Sequence, residues 1–237
     1  MGKKITIHQP DFMPWLGLYN KISKVDELIV LDHVMNNPRD SAFWCRRVQM
    51  MVAGKPSWIS VPLVKEEGKL AVPINQMEIN IREEKLLQKT VDTIRLNYAR
   101  APFFKQTFEL VEKYFNSSEK NLLKRNFSFM VETLNKLHIN PQIVFSSALD
   151  CRDKATHLLV ELITKRNGAE YICGTGASGY QEDELFQKAN IRLTYNSFQH
   201  PTYTQFNSTV FQKGLSIVDA LMNVGFEGTE KLIKSPA

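Results

Sequence analysis

Short apolar runs alternate with longer amphipathic stretches along the chain. Ile5-Thr6-Ile7 predicts a strand that stops at Pro10, because proline lacks a ladder donor and biases the preceding residue away from helix. Trp15, Leu18, Ile22 and Val25 follow at helical spacing. Glu27-Leu28-Ile29-Val30-Leu31 is then an almost continuous apolar run of the kind a buried parallel strand carries. Together these segments predict an N-terminal βαβ unit. Its right-handed crossover makes the two strands parallel, so their C-terminal ends face one crevice, where His8, Gln9 and Asp32 would converge.

A polar loop leads to Val48–Val52, a turn at Gly54-Lys55-Pro56, and Trp58–Pro62, which read as an antiparallel hairpin that either extends the sheet or flaps over the crevice. Three amphipathic segments, Glu84–Tyr98, Phe103–Phe115 and Glu119–Leu137, predict a helical layer over about 82–138. Ser117-Ser118-Glu119 and Ala101-Pro102 punctuate it as cap and turn signals. Strands at 142–145, 171–173 and 191–195, a helix at 154–165 and a last helix from about Leu215 resume the alternation. The fold class is therefore α/β. A mainly parallel sheet is expected, with the helical layer lying between two β/α halves of one domain that spans 1–237.

Composition narrows the class without changing it. The chain is 43% hydrophobic and 23% charged, ordinary for a globular enzyme and unlike a disordered or fibrous chain. Its net charge of +5 is spread over many segments, which argues against nucleic acid as a main partner and leaves small anions as substrates. Cys45, Cys151 and Cys173 show neither paired zinc spacing nor a disulfide pattern, so a reduced, cytoplasmic setting is expected. No export signal and no membrane span is expected, since no run approaches about 20 apolar residues. The sequence sets no oligomeric state.

The densest chemistry lies in His8-Gln9-Pro10-Asp11-Phe12-Met13-Pro14-Trp15-Leu16-Gly17, which joins a titratable ring, an amide and a carboxylate at a strand-to-helix turn stiffened by two prolines. Gly174-Thr175-Gly176-Ala177-Ser178-Gly179 fits the spacing of a dinucleotide loop, but no acidic residue ends the following strand, so a loop that meets a substrate anion is the better reading. Arg46-Arg47, with Lys55 nearby, reads either as a diphosphate clamp or as solvated surface charge. His200 and Tyr203, in the loop before the last helix, offer a base and a stacking group. Asp219 either turns toward the site or faces solvent. No HExxH, P-loop or G-x-S-x-G occurs, so neither a catalytic zinc nor another cofactor is expected.

Many of these marks resemble the WbqC-like family. The resemblance rests on His8-Gln9-Pro10-Asp11-Phe12-Met13-Pro14-Trp15-Leu16-Gly17, Leu31-Asp32, Arg47, Lys55-Pro56-Ser57-Trp58 and Tyr98. It continues through Tyr171–Gly174, Gly179-Tyr180, Phe186, Tyr195 and Leu215–Asp219. Arg46 departs from the pattern, which has asparagine there. The resemblance implies a bacterial enzyme encoded among O-antigen or other surface-polysaccharide functions. The implied reaction transfers an acyl or aminoacyl group, such as glycyl, from an activated donor to the amine of a nucleotide-linked amino sugar. On that expectation His8 or Asp11 is the base, with Asp32 and His200 as further catalytic candidates. Gln9 serves the oxyanion, Arg46 and Arg47 clamp phosphate, and Trp15, Lys55, Gly174, Gly176, Tyr180, Tyr203 and Asp219 contact substrate. The rival readings are nucleotidyl transfer or ATP-dependent ligation, suggested faintly by a histidine in the first strand-to-helix turn, and non-catalytic binding of sugar nucleotides.

Overall fold

The structure, a computed structural model, describes residues 2–37, 39–40, 43–65, 71–176 and 181–235. The opening apolar run forms β1 (Lys3–His8), followed by α1 (Leu16–Ile22) and β2 (Glu27–Val30). Every residue of β2 is buried, which is why its sequence shows no alternation. Next come β3 (Met35–Asn36), β4 (Arg47–Val52), β5 (Lys55–Ser60) and β6 (Val72–Pro73), then α2 (Glu84–Tyr98), α3 (Phe104–Phe115) and α4 (Leu122–Lys136). The chain ends through β7 (Gln142–Phe145), α5 (Ala155–Lys165), β8 (Gly168–Gly174), α6 (Asp183–Lys188), β9 (Arg192–Asn196) and α7 (Ile217–Lys234).

Five strands form one parallel sheet in the order β7-β2-β1-β8-β9. The chain builds outward from β1 through β2 to β7, then returns to the far side of β1 for β8 and β9. With crossovers of one hand, such a reversal sends the later helices to the opposite face of the sheet. Side-chain packing follows that rule. Leu28 and Val30 of β2 pack with α1, α7, the hairpin and the three-helix layer. Ile29, with Ile5 and Ile7 of β1, packs instead against α5 and α6. Loops at the C-terminal ends of β1 and β8 thus leave toward different faces and open a crevice between them.

The hairpin β4–β5 does not extend the parallel sheet. It is a two-stranded sheet of its own, with Val48, Met50 and Ile59 sunk into the helical-side core. Its turn is Ala53-Gly54, both at positive φ (50° and 75°), as a two-residue type I′ turn requires. Lys55-Pro56, expected in the turn, already belong to β5. The third helix of the layer starts at Leu122 instead of Glu119. Asn121 caps it, its Oδ1 accepting from the Lys124 N–H at 3.0 Å, whereas Ser117 Oγ accepts from the Glu119 N–H and only bends the loop. Among the described residues no helix is long and apolar enough to cross a membrane.

Candidate functional site

A cavity of about 620 Å³ lies at the C-terminal ends of β1 and β8, where the strand order reverses. His8, Gln9, Asp11, Lys21, Trp44 and Cys173 face it, with Gly174, Gly176 and Gln181. A Cβ added at Gly174 or Gly176 would meet nothing within 4 Å, so a ligand can approach the backbone there. A cleft of similar volume, about 610 Å³, lies between α3 and α4, but most of its charges are engaged within the protein. Lys113 there pairs with Glu132, and Arg125 donates to the Ser117 and Glu119 carbonyls.

Three titratable groups form a chain on the wall of the strand-end cavity. His8 Nε2 lies 2.9 Å from Asp11 Oδ2 and His8 Nδ1 lies 3.3 Å from Lys21 Nζ. Since a carboxylate only accepts, Nε2 carries the proton and Nδ1 presents its lone pair to the lysine. Lys21 also donates to the Ile7 carbonyl at 3.4 Å. It is only 5% exposed, and burial pulls its ammonium down to about 8, although Cys173 and Asp11 favour the charged form. Burial, with Lys21 adding to it, also lowers His8 and keeps its ring neutral at pH 7.

The turn that carries this chain is fixed from several sides. Asn126 of α4 donates to the Pro10 carbonyl at 2.8 Å and the Cys45 carbonyl at 2.7 Å, and accepts from Tyr114 Oη at 2.7 Å. The Phe12 N–H donates to the Trp44 carbonyl at 3.1 Å. Ser216, the cap of α7, donates its hydroxyl to the Met13 carbonyl at 2.7 Å. Met13 holds φ at 42°, a left-handed conformation that costs on the order of 1 kcal/mol and that these contacts maintain. Gly17 lets the Trp15 ring lie over the first turn of α1, because a Cβ there would come within 2.2 Å of the indole.

The other expected residues fall in three places. Asp32 is buried beside the cavity without lining it. Its carboxylate accepts from the Ser146 hydroxyl at 2.9 Å, the Ser147 hydroxyl at 2.7 Å and the Ser147 N–H at 2.9 Å, tying the end of β2 to the turn after β7. Asp219 neither reaches the cavity nor faces solvent. Tyr98 and Tyr203 hydroxyls each donate to it at 2.6 Å and Gln205 at 3.0 Å, yet burial still pushes its carboxyl up. Trp15, His200 and Tyr203 stack in succession, with ring centroids 6.3 and 6.2 Å apart, and the last of them is the tyrosine bonded to that carboxylate. Arg47 lies at the base of the hairpin, its guanidinium 3.7 Å from the centre of the Trp58 ring, and Arg46 precedes it. Lys55 is at the hairpin tip, five residue pairs from Arg47 in the ladder. Tyr180 lies outside the described residues.

Lys21, Trp44, Cys173 and Gln181 were not among the expected site residues. Lys21 had a readable signal, since it stands three residues after Leu18, on the stripe that Leu18, Ile22 and Val25 define as buried. Trp44 and Gln181 sit in loops and carried none. Neither Cys45, fully buried behind the turn, nor Cys173, which lines the cavity, is an activated nucleophile: burial raises Cys45 well above the usual thiol range and raises Cys173 too, despite Lys21 nearby. Among the described residues no group of three or more His, Cys, Asp and Glu side chains could hold a metal ion.

No solved structure matches the chain. A Mycobacterium tuberculosis (strain ATCC 25618 / H37Rv) protein described as "Uncharacterized protein Rv1507c" is 27% identical over 233 residues, covering 97% of each chain. The model of the WbqC-like protein family matches residues 9–231, from the second residue of the strand-to-helix turn into the last helix. The chain belongs to the WbqC-like protein family.

Proposed function

We propose that this protein is an enzyme that transfers an acyl or aminoacyl group, glycyl for example, to the amine of a nucleotide-linked amino sugar used in bacterial surface polysaccharide. The observation that carries the reading is the Asp11–His8–Lys21 chain opening on a cavity at the switch point of the sheet. Amide formation needs the sugar ammonium to lose a proton so that its nitrogen can attack the acyl carbon. A lysine held at about 8 is neutral in roughly a tenth of molecules at pH 7, against well under a thousandth for a free one.

In this reading Lys21 takes the proton, and His8 accepts a hydrogen bond from the resulting ammonium through Nδ1. Asp11 holds the imidazole in that tautomer. The new C–N bond forms as the bond to the donor's leaving group breaks; Lys21 returns its proton to that group, and the amine so regenerated takes the second proton from the acylated nitrogen and releases it to solvent. Cys45 Sγ lies 3.7 Å from Gln9 Oε1, which leaves the Gln9 amide N–H groups to meet the developing oxyanion. The burial of an ion in the cavity wall is costly for a purely structural lysine, and a proton-transfer role accounts for it.

Purified protein incubated with amino-sugar nucleotides and a panel of activated acyl donors should yield the acylated sugar by mass spectrometry. Lys21→Met and Asp11→Asn should each reduce the rate by about 100-fold or more. Failure of every pairing while a control transferase works would remove the reading, as would product formation that survives both substitutions.

A further inference from the structure

We infer that the exposed pair Trp44 and Trp58, with Arg47, forms a stacking platform at the mouth of the strand-end cavity for the base of a nucleoside diphosphate. The two indoles lie 5.3 Å apart, and the Arg47 guanidinium is 3.7 Å from the centre of the Trp58 ring. Trp44 also lines the cavity itself, so the platform and the strand-end chemistry are continuous.

The hairpin builds this arrangement by register. Gln49 stands opposite Trp58 and Arg47 opposite Ser60, so Arg47 and Trp58 are diagonal neighbours on the same face. Val48 and Ile59 point the other way into the core. The outward face of an otherwise core-anchored hairpin therefore carries an aromatic ring and a cation in contact. The loop before β4 brings Trp44 against them, anchored by the Phe12 N–H.

Trp44 is 49% and Trp58 42% exposed, so two adjacent indoles leave a large apolar area open at one place on the surface. Flat π surfaces beside a guanidinium are the arrangement that holds a base by stacking and its phosphates by bidentate hydrogen bonds. Arg47 supplies the cation for this, its guanidinium held against the Trp58 ring on the shared face of the hairpin. An apolar peptide would satisfy the indoles and leave that charge unmet. Inorganic phosphate would do the reverse. Stacking tolerates any base, so the platform would accept pyrimidine and purine diphosphates alike.

The inference deepens the proposed reaction and rests on it for the kind of molecule that enters the cavity, but binding can be tested without catalysis. Intrinsic tryptophan fluorescence and calorimetry with UDP, ADP, ribose 5-phosphate and pyrophosphate are the measurement. UDP and ADP should quench the emission, with quenching retained in Trp15→Phe, since Trp15 does not line the cavity. Trp44→Leu and Trp58→Leu should each weaken UDP binding by calorimetry about 10-fold or more. Trp44→Phe should keep most of the affinity. Arg47→Met should weaken UDP and pyrophosphate together. UDP binding at wild-type strength in the folded Trp44→Leu and Trp58→Leu proteins, or no binding of either nucleotide at millimolar concentration, overturns the platform. UDP binding without any acyl transfer would overturn the proposed reaction and leave the platform standing.

Discussion

Lys21 shows how one side chain can set both the stability and the chemistry of this molecule. In the unfolded chain it titrates near 10.4, while in the folded protein burial holds it at about 8. Between those values the unfolded chain binds a proton that the folded one has lost, so stability rises with pH across that window. Below it both forms are protonated and the burial penalty, on the order of 3 kcal/mol, is felt in full. Lys21→Met should therefore stabilise the protein at pH 7 by about 1–3 kcal/mol in urea unfolding, with the gain fading toward pH 10. A midpoint unchanged at pH 7 would contradict the burial argument. If Lys21 is the base, kcat/KM should climb through about pH 8 and level above it, and a profile already flat at pH 6 would remove it from that role. The sequence marked His8 and Asp11 because such groups crowd a proline-stiffened turn, but a lysine in a helix is usually solvated, and only its place on the buried stripe distinguished it.

At the scale of elements, the strand-to-helix turn is shaped less by its own residues than by the elements that grip it. Asn126 spans two of them, holding the Pro10 and Cys45 carbonyls while Tyr114 fills its own oxygen. Asn126→Ala would leave buried groups unpaired, and a loss of about 2–4 kcal/mol is expected in urea unfolding. Asn121→Ala, five residues earlier in the same helix region, removes a part-buried cap and its hydrogen bond to the Asn75 carbonyl and should cost about 1–2 kcal/mol. Equal losses would mean that Asn126 does no more than an ordinary cap. Most elements were legible because their period is local: the strand at 142–145 and the helix at 84–98 have the boundaries their patterns predict. The hairpin turn slipped because Gly54-Lys55-Pro56 looks like a loop, whereas Ala53 supplies the first positive φ. Strand order was legible only for β1 and β2, which pair in parallel as the predicted βαβ unit requires. The other neighbour of β1 is β8, which depends on packing between segments more than a hundred residues apart, and no local spacing encodes it.

For the whole molecule, that strand order decides where a ligand can act. The N-terminal edge of the sheet is closed by a buried charge cluster, with Arg166 forking onto Glu27 at 2.8 Å twice and Lys3 donating to the same carboxylate. The C-terminal edge stays open because β1 and β8 send their loops to opposite faces. One wall of the cavity comes from Lys21 of α1, in the first hydrophobic core, and another from Thr156 and Leu158 of α5, on the other face. A bound molecule therefore touches both layers that the sheet separates. At 100 times its Kd, a sugar nucleotide should add about 2.7 kcal/mol and raise Tm by roughly 5–10 °C for a chain of this size. Hydrogen exchange should then slow in α1 and α5 together. A contact limited to the hairpin platform would instead protect β4 and β5 and leave α5 unchanged, so protection of α5 is the sign that the ligand has entered the crevice between the two halves of the sheet.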